Sequence, residues 1–158
     1  MRKRAIVYTI GRAAMLLMAL LTAADLIYFY LSADSTLAIG MMISHMAVLL
    51  GSNATALTPI ILCNAVAYAL ILATVVLAVL SGRHYACFVA AMVLLSVDTL
   101  IAAWLFLASH GGGFLPTFLA HAVAEVCMIF AFAAGRRLCA AKCGVKKSLK
   151  LALFGGEI

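Results

Sequence analysis

Charge is what this sequence has least of. Asp, Glu, Lys and Arg make up 10% of its 158 residues, and only five residues are acidic. A soluble domain of this size is about a quarter charged, enough to cover its water-facing surface. The deficit leaves no room for a separate soluble domain. With 68% hydrophobic residues and a mean hydropathy of +1.23, the chain reads as an all-α integral membrane protein.

Motifs are missing too, and each absence excludes a chemistry. No Cys-x-x-Cys pair occurs among Cys63, Cys87, Cys127, Cys139 and Cys143. Three of these cysteines lie inside apolar runs, where a thiol behaves as a small hydrophobe, so a thiol oxidoreductase is disfavoured. Cys139-x-x-x-Cys143 leaves metal binding or acylation open in the basic tail. There is no His-Glu-x-x-His, and no strand precedes Gly111-Gly-Gly113, so that run is a flexible turn and not a phosphate loop. The net charge of +6 comes without a basic patch interleaved with aromatics, which excludes nucleic acid as a partner. Its cations lie at the chain ends and in one loop, where anionic lipid would meet them.

What remains is apolar sequence, and its run lengths set the architecture. A helix needs about 20 apolar residues to cross a hydrocarbon core about 30 Å thick. Residues 13–31, 58–80, 85–108 and 114–134 meet that length. Met1-Arg-Lys-Arg4 ahead of the first run suits either a signal peptide or a signal anchor. Thr22-Ala-Ala24 supplies cleavage-type small residues, but the apolar run continues through Leu31 and favours an uncleaved helix. Leu37–Leu50 is apolar but only fourteen residues long, which suits a re-entrant or interfacial helix in the first extracytoplasmic loop. Within it, His45 suits an amphipathic interfacial face, and Met41, Met42 and Met46 read as soft packing. Gly51–Thr55 breaks the pattern, and Pro59 fits the first turn of the next helix.

The expected organisation is a basic N-terminus (1–12), one four-helix membrane domain (13–135) and a basic tail (136–158). In the tail, Leu138, Val145 and Leu149 share a helical face flanked by lysines that could snorkel at an interface and attract anionic lipid. Four spans put Arg2, Lys3, Arg4, Arg12, Arg83, Arg136, Arg137 and the tail lysines Lys142, Lys146, Lys147 and Lys150 on one side. Those are all 11 cations of the chain. The positive-inside rule then places both termini in the cytoplasm of an antiparallel bundle, in what reads as a bacterial cytoplasmic membrane. A fifth crossing by residues 37–50 would export Arg83 and the tail.

Polar residues inside the spans are few and fall at similar depths. At about 1.5 Å per residue, Asp25 and Asp98 lie roughly 18 to 20 Å from the cytoplasmic starts of their helices. Asn64, His121 and Glu125 lie roughly 9 to 15 Å below the outer surface. Glu125 follows His121 by one turn on the same face, Tyr68 follows Asn64 likewise, and Thr22 precedes Asp25 by less than a turn. Ala24-Asp-Leu-Ile27 and Val97-Asp-Thr-Leu-Ile101 hint at a repeat of two hairpins. Ionisable groups at such depth are costly and mark candidate sites.

The candidate ion or substrate site is therefore Asp25, Asn64, Asp98, His121 and Glu125, supported by Thr22 and Tyr68. Three carboxylates and one imidazole, with no buried Lys or Arg, need protons or a cation for charge balance. A divalent metal, zinc or manganese, on His121, Glu125, Asp98 and Asp25 is one answer; protons alone are the other. Three functions stay open. One is a proton- or cation-coupled transporter or transporter subunit, acting as a homodimer or beside a membrane partner. The second is a non-catalytic accessory protein, in which the layer is interhelical hydrogen-bond glue. The third is a membrane-embedded metal-dependent hydrolase, for which a single histidine is a thin ligand set.

Overall fold

The computed structural model of the chain describes residues 2–32, 39–109 and 114–143. They form five helices: α1 (Arg2–Ser32), α2 (Met42–Ser52), α3 (Leu57–Leu80), α4 (Tyr85–Ala108) and α5 (Leu115–Cys143). Four of them are long and apolar enough to cross a membrane. At 11 residues, α2 is about 16 Å long and falls well short. Pro59 and Pro116 sit in the first turns of α3 and α5, where a missing N–H leaves no intrahelical bond unmade. The expected turn at 110–113 and the basic stretch with Lys146, Lys147 and Lys150 lie outside the described residues.

The long helices pack in a ring, α1 on α3, α3 on α4, α4 on α5 and α5 on α1, and α2 lies mainly along α3. Contacting positions run in opposite senses. Tyr30 meets Asn64 while Arg12 meets Ala78, and Asp98 meets His121 while Tyr85 meets Phe132. Two apolar clusters fill the interior. The larger contains Tyr8, Met15, Phe88, Leu95 and Met128; the smaller joins Leu26, Val48 and Ala67 where α2 packs. Between α1 and α5, a Cβ on Gly11 would stand 2.2 Å from the Ala131 methyl. Close approach of two helices through small residues is what a membrane interior favours, since apolar burial there gains little. The outer faces stay apolar, with Leu62, Leu72, Leu100 and Trp104 each more than half exposed. A surface of this kind is suited to lipid.

Two helices run further than their apolar runs suggest. α1 starts at Arg2, well before residue 13; its first turn is exposed, and the turns that follow are anchored by Tyr8 and Arg12. The Tyr8 hydroxyl donates to the Ser81 carbonyl at 2.8 Å. Arg12 Nε donates to the Ser81 hydroxyl at 3.0 Å and the Ala78 carbonyl at 3.3 Å, and its Nη2 donates to the Val79 carbonyl at 3.3 Å. The Ala78 and Val79 carbonyls belong to the last turn of α3, where a cation meets the negative end of the helix dipole. α5 likewise continues past residue 134 to Cys143.

Candidate functional site

The polar side chains of the interior are organised by the start of α2. Segment 39–41 enters that helix in non-helical conformation and passes against α1 at Gly40, where a Cβ would lie 2.3 Å from the Thr22 Cα. Only glycine permits that approach. It brings consecutive backbone amides within reach of side chains from two long helices. Asp25 Oδ2 accepts from the Ile39 amide at 2.8 Å and also from the Gly40 amide. Thr22 Oγ1 accepts from the Met41 amide at 2.7 Å and donates to the Met18 carbonyl at 2.7 Å. Asp98 Oδ2 accepts from Met42 at 2.9 Å and Oδ1 from Ile43 at 2.7 Å.

The amides of residues 39 to 43 are thus all held by α1 and α4. Those of Met42 and Ile43 belong to the first turn of α2, whose N–H groups have no intrahelical acceptor. Left unpaired in hydrocarbon, each would cost several kcal/mol. Carboxylates are well suited to the task, because the N-terminal end of a helix carries partial positive charge.

Asp98 makes one more contact. His121 Nε2 lies 2.6 Å from Asp98 Oδ2, with both side chains fully buried. The other ring nitrogen, Nδ1, lies 2.8 Å from the Thr117 carbonyl, which can only accept. Nδ1 therefore carries a hydrogen. The short Nε2–Oδ2 contact then needs a proton between its atoms, since an imidazole that donates from Nδ1 alone would present a lone pair to the carboxylate. Wherever that proton sits, the pair is neutral overall. This accounts for one of the three carboxylates; Asp25 is met by backbone amides and Glu125 by a hydroxyl.

The remaining members disperse. Glu125 Oε1 accepts from the Ser96 hydroxyl at 2.6 Å, which joins α5 to α4. Its Oε2 is buried with no partner among the described residues. Asn64 does not join the others: its Oδ1 accepts from the Tyr30 hydroxyl at 2.5 Å, on the α1/α3 face where Tyr68 also borders Tyr30. His45, expected to be interfacial, is buried and packs edge-on against Phe29, and its Nδ1 has no partner among the described residues. Met41 and Met42 are buried, and the Thr74 hydroxyl points at the Met41 sulfur from 3.4 Å.

The metal question has a geometric answer for this part of the chain. Among the described residues, no three His, Cys, Asp or Glu side chains come together as a group able to hold a metal ion. Asp25, Asp98 and His121 are engaged by backbone amides, a backbone carbonyl and each other, and Glu125, with one oxygen still unpartnered, is not grouped with them, so the donor set does not fit zinc or manganese.

Sequence reasoning missed Gly40, Ser96 and the Ile39–Ile43 amides. Ser96 is one of several hydroxyl residues in the spans with nothing in the sequence to single it out, and backbone amides leave no residue signature at all. Comparison with known protein families, curated proteins and solved structures finds no match to this chain.

Proposed function

We propose that this is a small proton-coupled membrane carrier, or a subunit of one, in which the Asp98–His121 pair holds the proton and α2 is the element that responds. The four long helices form an antiparallel bundle in a bacterial cytoplasmic membrane with both termini cytoplasmic. α2 is a re-entrant helix whose N-terminal end lies near mid-membrane. Half-helices ending at that depth are a recurring way for transporters to build a site where ions or substrates bind.

One observation carries this reading: a single carboxylate, Asp98, both caps α2 and lies 2.6 Å from His121 Nε2. Moving that proton changes the charge available to the Met42 and Ile43 amides, so proton binding and the seating of α2 are linked. Glu125, one turn along α5 with an unpartnered oxygen, is the next stop for a proton leaving His121.

The test is proton flux into proteoliposomes under an imposed pH gradient, read by an internal pH dye. Wild-type protein should dissipate the gradient faster than empty vesicles. Glu125→Gln and Asp98→Asn should return the rate to that of empty vesicles while remaining folded. Identical rates for wild type, both variants and empty vesicles would sink the carrier reading. They would favour the accessory protein, which has its own support: most polar groups of the layer are already spent on seating α2.

A further inference from the structure

We propose that the furrow between α1 and α5 binds one anionic phospholipid, independently of the Asp98–His121 site. The furrow has an apolar reach of about 790 Å³, bounded by Ile10, Ala13, Leu17 and Leu20 of α1 and by Val123 and Cys127 of α5. That volume is in the range of sites that hold drug-sized ligands, about 300–1,000 Å³. From Ile10 to Leu21 it extends about 16 Å, close to the depth of one leaflet of a core about 30 Å thick. At one end it continues into a second hollow of about 420 Å³. Val7 precedes Ile10 by about one turn on α1, and Phe130 follows Cys127 by about one turn on the antiparallel α5, so the two hollows are successive stretches of one furrow.

The chemistry of that end selects the occupant. Lys3, Arg4 and Arg137 line it, and no acidic residue lines either stretch. An apolar trough ending in three cations matches acyl chains that end in a phosphate, with arginine forks able to grip phosphate oxygens in pairs. A second copy of this chain fits poorly. A twofold interface presents the same patch from both sides, and here it would bring six cations together. A zwitterionic lipid would gain less, because its own cation faces the cluster.

The experiment uses the full chain in detergent with added dioleoyl phosphatidylglycerol, dioleoyl phosphatidylcholine or glycerophosphate, with bound lipid counted by native mass spectrometry. One phosphatidylglycerol should be retained per chain in preference to phosphatidylcholine. Removing cations by Lys3→Gln, Arg4→Gln and Arg137→Gln should weaken it about fivefold each, roughly a hundredfold together. Those side chains are exposed, so the fold should survive. Ala13→Phe, which fills the furrow from an exposed position, should displace the lipid with all three cations intact.

Equal retention of both lipids, or undiminished preference in the triple variant, would overturn the site. Displacement of phosphatidylglycerol by glycerophosphate at equal concentration would show a bare phosphate site and overturn the lipid assignment. A wild-type dimer that loses no mass on lipid removal and dissociates with Ala13→Phe would assign the furrow to a second copy.

Discussion

At the scale of single residues, Asp98 has the most to lose. It accepts two backbone amides and shares a proton with a histidine, all out of contact with water. Asp98→Ala should destabilise the protein by about 3–5 kcal/mol, the usual result of stripping one member from a buried pair. Unfolding in mixed micelles measures it. A double-mutant cycle of Asp98→Asn with His121→Gln should give a coupling energy of about 0.5–3 kcal/mol; strict additivity would mean the two do not share a proton. Gly40→Ala should cost about 1–3 kcal/mol by overpacking against the α1 backbone, and the same unfolding assay reads it. The sequence exposed the aspartates and the histidine because such residues are costly in lipid. It did not expose their partners. Depth arithmetic ranked Asn64 with them, yet depth says nothing about azimuth, and Asn64 faces Tyr30.

At the scale of elements, α2 depends most on its neighbours. It is short, and its first amides are satisfied by side chains of α1 and α4. Hydrogen exchange should show the Met42 and Ile43 amides protected in wild-type protein and fast in Asp98→Ala, with the middle of α5 unchanged in both. If all the helices loosen together, α2 is not an independent unit. The end of α3 offers a second check. Arg12→Gln removes a cation from its C-terminal carbonyls and should cost about 1 kcal/mol in the unfolding assay, while Arg12→Lys should recover part of it. Run length alone marked residues 37–50 as something other than a span. It could not locate the helix start, which is set by where the carboxylates pull the amides out of helical pairing.

At the scale of the whole molecule, the four long helices were legible because apolar length is a direct physical requirement for crossing a bilayer. The extra turns of α1 and α5 were not, because they are held by contacts far apart in sequence: Tyr8 and Arg12 bond the end of α3, and Leu138 and Cys139 join the larger apolar cluster. The topology can be read with a membrane-impermeant maleimide in a background lacking the native cysteines. His84→Cys should label only after the cytoplasmic face is opened, and Ser109→Cys from the outside; the reverse pattern would invert the protein. The amides at 42 and 43 also impose an order on assembly. Their acceptor, Asp98, lies 55 to 56 residues further along the chain. A ribosome adding about 5–20 residues per second delivers it roughly 3 to 11 seconds later. During that interval the segment ahead of α3 has no carboxylate from α4 to fold onto, so α2 is seated only once a helix made after it has arrived.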